Sequence, residues 1–392
     1  MRPREQADPK LDFDQFQFTG RDGAPLEDLR QLSDEDRRRL LMAGVDIEEK
    51  GRSGSFLHID HSNAHCHSRQ KGVEILGIKQ ALKKYDGLPE YYWRAIDRNQ
   101  DEITRRADQN LHGGYFIRTA KGAKIDEPVQ SCLFIKGENV GQNVHNIVVV
   151  EEDSDVHIIT GCTTSESVQS ALHLGISEFY IKKGGRLTFT MVHNWGEQVM
   201  VRPKTVGIVE EGGVFLNNYI LLKKVGSVTS YPTIFLNGAG AVCRFNSVIV
   251  APEGSHIDTG NRIVLNAPET RGEIISRTIT TGGKIIARGH IIGNAVPARG
   301  HLECKGLILG NGIIHAIPEL EGSVTGVELS HEAAVGKIAQ EEIEYLMARG
   351  LDEDEATSTI VRGFLNVDIM GLPEELRRSI EQTIEENEKE MF

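Results

Sequence analysis

Residues 184–216 read GGRLTFTMVHNWGEQVMVRPKTVGIVEEGGVFL. Leu187, Phe189 and Met191 alternate with Thr188 and Thr190, the period of a strand with one buried face. The run opens on the pair Gly184-Gly185, and the next one, with Val214 and Leu216, opens on Gly212-Gly213. The turn signal returns at Gly238 and Gly240, Gly254, Gly282-Gly283, and Gly310 and Gly312. The larger gaps are about 27 to 29 residues, with one near half of that, a spacing that predicts a solenoid. No single coil of such a fold can bury its own apolar face, so each stacks on its neighbours around one continuous core. With 41 glycines and only 6% aromatics, the composition suits tight turns and a core of small aliphatic side chains. A parallel β-helix is the leading reading. The period is loose, and a sandwich of short strands is the competing one.

Outward from this core the period becomes helical. Leu26 to Ala43 carries leucines at helical spacing with charges between them. Pro89 opens a second such stretch, PEYYWRAIDRNQDEITRRADQN, and Lys71 to Leu88 reads either way. Beyond residue 330, Glu332 to Arg349 places Val335, Ile338, Ile343 and Leu346 on one broad face, with Gly350 where a capping glycine belongs. Asp352 to Leu365 and the stretch opened by Pro373 read as further amphipathic helices. The predicted organisation is a mixed, partly helical region over 1–112, a β-helix core over 113–329 and a helical domain over 330–392.

The net charge of −13 disfavours a general nucleic-acid binder, which needs a basic surface. No apolar run approaches the ~18 residues of a membrane span, and MRPREQADPKLDFDQF does not read as a secretory signal. Five widely spread cysteines without a CxxC pair are no disulfide framework, and a reducing cytoplasm is the expected location. Gly283-Lys284 and Gly336-Lys337 are each followed by isoleucine, so neither completes a phosphate-binding loop. The chain is therefore not expected to bind or hydrolyse a nucleotide itself.

Two groups of side chains invite chemistry. The segment DHSNAHCHS offers His61, His65, Cys66 and His67 as a candidate zinc or iron site: on a helix His61 and His65 share a face, on a strand His65 and His67 do. The second group is Cys304 in GHLECKGLILG, His315 in GIIHAIPEL, and His331 and Glu332 in ELSHEAAVGKI. A thiolate, an imidazole and a carboxylate near one end of a solenoid suit iron or sulfur. As a persulfide carrier, Cys304 would have to be exposed and able to ionise. The competing reading of Cys304 is a buried structural cysteine, and that of the histidine segment is a polar surface strand.

The run from His331 to Ile338, then Glu341, Tyr345-Leu346, Arg349-Gly350, Glu353, Asp354, Ala356, Ile360-Val361 and Gly363-Phe364, resembles the C-terminal signature of the SufB/SufD proteins. Gly161-Cys162-Thr163, Leu172-His173 and His193-Asn194-Trp195 resemble further segments of that family. The resemblance implies a mainly β protein, a right-handed parallel β-helix flanked by helical segments at both ends. It implies a non-enzymatic scaffold for iron–sulfur cluster assembly that carries a transient cluster. The implied partners are a homodimer or paralogue mate at the β-helix edge, an ABC-type ATPase (SufC-like) on the C-terminal helices, a sulfur donor, and apo iron–sulfur proteins as recipients. Carried over residue by residue, Cys304, His331 and Glu332 are the implied cluster or sulfur ligands, while His315 is an additional candidate from the residue reading alone. Two departures stand out. Ser330 replaces a SufB glutamate, and no cysteine lies near Val209, where SufB proteins tend to carry a sulfur acceptor. The alternatives are a structural subunit of the ATPase complex without its own cluster and, from the fold alone, a β-helix carbohydrate-active enzyme.

Overall fold

The computed structural model describes residues 11–20 and 25–365. Two long sheets face each other and form a parallel β-solenoid of about 8 turns. In the first sheet the strands Asp155–Thr164, Arg186–Asn194, Val214–Leu221, Val242–Ala251, Thr270–Thr280, Ala298–Ile308 and Glu328–Gly336 stack in that order, all parallel. In the second, Val140–Val150 and Ala171–Ile181 lead through shorter strands to His256–Leu265, Lys284–Gly293 and Ile313–Gly322.

The glycine spacing follows from how the corners stack. Gly184, Gly212 and Gly240 have φ of 65°, 63° and 69°, a region that only glycine enters freely. The amide of Gly184 donates to the carbonyl of Glu211, that of Gly212 to Ala239, and that of Gly240 to Pro268. Each corner thus satisfies the one before it, and the same conformation must recur once per coil. Between the sheets, four phenylalanines stack in one row, Phe189, Phe179, Phe215 and Phe245, with successive ring centroids 4.9, 5.5 and 6.0 Å apart.

Several helical expectations are corrected. The sheet runs on to Gly336, past the expected solenoid end at 329, and the helix expected from Glu332 starts only at Gln340, as Gln340–Met347. Residues 331–336 lie in register with Leu302 to Leu307, and extending a formed sheet outweighs the helical propensity of the alanines. Of the stretch opened by Pro89, only Glu102–Gln109 is helical. Upstream, the buried carboxylate of Glu178 accepts the backbone N–H groups of Trp93 at 2.7 Å and Ala95 at 2.6 Å, withdrawing them from any helix. The Lys71 to Leu88 stretch is a strand, Val73–Gly77, running into a helix, Ile78–Lys84. In the Leu26 to Ala43 stretch the α-helix is Asp34–Met42, capped by Ser33. The solenoid also reaches back before residue 113, because Gly54–Ile59 pairs in parallel with Val129–Ile135.

At the other end, the helix Glu353–Leu365 folds back along the outer flank of the first sheet. Val361 is buried there in a cluster with Ile220, Val248, Ile279 and Leu307. The helix expected from Pro373 lies outside the described residues. No helix among the described residues is long and apolar enough to cross a membrane.

Candidate functional site at the end of the solenoid

The last coil is built from Ile313–Gly322 and Glu328–Gly336. Among the described residues, neither strand has a sheet neighbour on its outer side. Each therefore presents a row of backbone N–H and C=O groups free to pair. Ile313, Leu320, Val324 and Val335 are large apolar side chains left exposed in this coil.

Strand period places the predicted ligands. In Ala298–Ile308, Leu302, Cys304 and Gly306 face the interior, while His301, Glu303 and Lys305 face out. In the next strand His331 pairs with Leu302, Glu332 with Glu303, and Ala333 with Cys304. Parallel partners share a face, so Cys304 and His331 are both on the inner face, one coil apart. His331 is nevertheless exposed, because the last coil ends the stack.

Glu332 is not with them. Its carboxylate is on the outer face, 3.2 Å from the Lys305 ammonium, which also lies 3.2 Å from Glu303. Glu303 is paired in turn with Arg277. Outside, too, the Ser330 hydroxyl sits 2.8 Å from Nδ1 of His301. His315 belongs to the second sheet, in register with Ile286 on the outward side of that strand, and does not join the group.

Cys304 is 2% exposed and belongs to the main core cluster. Of the two readings of Cys304 left open by the sequence, this burial is that of the core cysteine rather than of an exposed, readily ionised thiol. Burial pushes its pKa up to about 11, with the nearby Glu303 carboxylate adding to the shift. Its neighbour toward the open end is Ala333, whose methyl group is the smallest side chain that can lie over it short of glycine.

The sequence reading missed what lies behind Cys304. Tyr219, Ser247, Ser276 and Cys304 form one inward-facing column through successive coils, spaced every 28 or 29 residues. The first three line a narrow internal cavity of about 60 Å³, enough for ordered water. Next to it, His193 Nδ1 lies 2.9 Å from the Tyr219 hydroxyl, and Trp195 stacks between His193 and His173. The signal was present as a repeat of small polar residues at the coil period, but only the register shows that they share a column. Cys162, Trp195 and Cys243 are core residues of the same interior.

The histidine segment takes the strand form, one of the two open to it. Ser62–Ser68 is a strand, so His65 and His67 share a side. His61 precedes it and turns away, its Nε2 lying 3.1 Å from the Gln17 carbonyl oxygen and 3.2 Å from that of Gly141. Cys66 points to the opposite side, where its thiol donates to the Ile75 carbonyl at 3.3 Å.

Comparison with known proteins agrees with this architecture. The pattern described as "SUF system FeS cluster assembly, SufBD core domain" matches residues 133–364. An iron–sulfur cluster assembly SufBD family protein of Archaeoglobus fulgidus is 52% identical, over 91% of this chain and 96% of that protein. One from Methanothermobacter thermautotrophicus is 45% identical, over 92% of this chain and 90% of its own length. The iron–sulfur cluster assembly protein SufB of Bacillus subtilis is 32% identical, over 79% of this chain and 68% of that protein. A matched core spanning more than half the sequence, with relatives aligned along most of their length, means that this chain belongs to the SufBD family of iron–sulfur cluster assembly proteins.

Proposed function

We propose that the chain is a non-enzymatic scaffold on which an iron–sulfur cluster is assembled in the cytoplasm, and that the open end of the solenoid is where the nascent cluster is held. The observation that carries this reading is the uncovered last coil, with an inward-facing imidazole, His331, one coil beyond an inward-facing thiol, Cys304. A second copy or a paralogue seated on the two free strands would seal the edge. A two-fold axis would then bring a Cys304 and a His331 from each side around one cavity. Cluster iron accepts thiolate and imidazole ligands together. Glu332 is assigned to the outer ion pair with Lys305 rather than to the iron.

The test is to break the edge and follow the cluster. Leu320 and Val335 are exposed in the last coil, so Leu320→Asp with Val335→Asp should leave the coil folded and place charges on the mating face. After anaerobic incubation with ferrous iron and sulfide, the wild-type protein is expected to run as a dimer carrying a visible chromophore. The double variant should run as a colourless monomer. A monomer that takes up the full chromophore would overturn the shared-site reading.

An ABC-type ATPase is the proposed energy source, docked on the C-terminal helices. In Gln340–Met347 the apolar side chains Tyr345 and Met347 stand exposed, although Ile343 of the same helix is buried. The Arg349 guanidinium lies over the Tyr345 ring, 4.8 Å from its centre, and adds a cation to this exposed apolar patch. Tyr345→Ala with Met347→Ala should reduce capture of a co-expressed ABC ATPase at least tenfold and leave the dimer intact. Undiminished capture would place the contact elsewhere.

A second reading has its own support. Cys304 is buried and its pKa raised, Ser330 stands where SufB has glutamate, and Val209 has no cysteine near it. These features suit a SufD-like subunit that completes a paralogue's site. That subunit would stay colourless alone and gain the chromophore only with the paralogue.

A further inference from the structure

At the opposite end of the first sheet lies a second group of ligating atoms, independent of the scaffold reading. His65 and His67 project from the same side of the outermost strand, Ser62–Ser68. The turn at residues 46–50 brings up Glu49. In that turn the Asp46 carboxylate accepts the N–H groups of Glu48 and Lys50, each at 2.9 Å. Glu49 itself is held at φ 54°, a left-handed conformation uncommon for a non-glycine residue, with its carbonyl accepting from Arg69 at 2.5 Å. Its carboxylate oxygens then lie 3.3 Å from His65 Nε2 and 4.0 Å from His67 Nδ1, and the three ligand atoms all lie within 4.8 Å of one another.

The tautomer of His65 suits coordination. Its Nδ1 is 3.1 Å from the Leu26 carbonyl oxygen, so Nδ1–H donates there. In the neutral ring Nε2 then carries the lone pair, and it faces Glu49. A backbone carbonyl behind a histidine is the usual outer-shell partner of a metal ligand. By size, the 3.3 Å between His65 and Glu49 matches a shared ion, and the exposed His67 ring would have to close in from 4.0 Å to join it. Two bonds of ~2.1 Å at a tetrahedral angle separate ligand atoms by roughly 3.4 Å. A simple imidazolium–carboxylate pair would account for His65 and Glu49. It would leave His67 Nδ1 at 4.0 Å, beyond hydrogen-bond reach of the carboxylate that it faces.

We propose that Glu49, His65 and His67 form a binding site for a divalent first-row transition-metal ion, with water completing the coordination. Two imidazoles and one carboxylate favour ions such as zinc, cobalt or ferrous iron over magnesium or calcium. His67 has a side-chain exposure of 53%, which gives a hydrated ion direct access. Bound metal would tie the Leu26 segment, the 46–50 turn and the edge strand together over the first coil.

The experiment uses the full chain after chelator treatment, titrated separately with cobalt(II), read by its visible absorption, and zinc(II), read by calorimetry. One equivalent of each is expected to bind, with excess magnesium failing to compete. His67→Gln changes an exposed side chain and should keep the fold. It should weaken binding by more than the ~10–100-fold typical of losing an outer-shell partner. Glu49→Gln should do the same, and zinc should raise the melting temperature of the wild type but of neither variant. Cys304→Ala should bind as the wild type does, which separates this site from the cluster end. Absence of one-to-one binding below millimolar concentration would overturn the proposal. So would binding that survives both His67→Gln and Glu49→Gln, or binding that Cys304→Ala removes.

Discussion

Cys304→Ala is expected to abolish the visible chromophore formed with iron and sulfide while leaving the fold intact. The substitution removes one buried atom from a site flanked in register by Ser276 and Ala333, and should cost roughly 1 kcal/mol of stability. Circular dichroism and the elution volume should therefore match the wild type. The raised pKa adds a kinetic signature. With its pKa near 11, the thiol is protonated at neutral pH and ligation must displace that proton. If thiolate formation limits uptake, the rate should climb about tenfold per pH unit between pH 7 and 9, since the thiolate fraction does so below the pKa. Glu332→Gln, on the outer face, should keep the chromophore. Retention of the full spectrum by Cys304→Ala would show that the sulfur is not a ligand.

Acidification from pH 7 to pH 5 is expected to remove roughly 9 kcal/mol of stability through five interior histidines. Burial is the first cause in each case. It holds His173 and His193 at about 3 and His58, His112 and His157 at about 4, with a nearby positive charge adding to each shift. Geometry supports neutral rings. Nδ1 of His112 accepts the Asn143 N–H at 3.0 Å and Nε2 meets the Phe18 carbonyl oxygen at 2.6 Å, so a second ring proton would break the first bond. His173 Nδ1 is 2.9 Å from Gln142 Oε1. The sign follows directly. These folded values lie below the unfolded ~6.5, so between them the unfolded chain binds more protons and stability falls as pH falls. Each group loses about 2 kcal/mol over this interval, against a total of ~5–15 kcal/mol for a typical domain. Glu178, held below the usual carboxylate range by His145 despite the opposing effect of burial, adds to the loss only at lower pH. Urea midpoints at pH 7 and pH 5 test this, and equal midpoints would refute it. His112→Gln should flatten the pH dependence by about a fifth.

The solenoid was legible because its corners impose glycine at a fixed interval and its strands alternate over several residues. The terminal strand was not. ELSHEAAVGKI satisfies helical spacing, yet Ala333 and Val335 alternate equally well, and only the preceding coil decides between the two. That single assignment controls the site. On a helix His331 and Glu332 would stand roughly 100° apart on one side of the axis, whereas adjacent strand residues point to opposite faces. Cys304 and His331 were recognisable as residue types, but their shared face emerges only from the register. Glu49 carried no signal, since a glutamate in a turn is ordinary until the chain folds it against His65 and His67.

The stacked corners also give the molecule a unit of growth. In-frame duplication of one 28-residue segment between Gly212 and Gly240 would add a rung of ~4.8 Å to each sheet and leave both ends chemically unchanged. A one-residue insertion within Ala298–Ile308 would instead turn Cys304 outward and Lys305 inward. The span between the molecule's two tips can therefore drift in whole steps over evolution, whereas the terminal strands tolerate no frame slip.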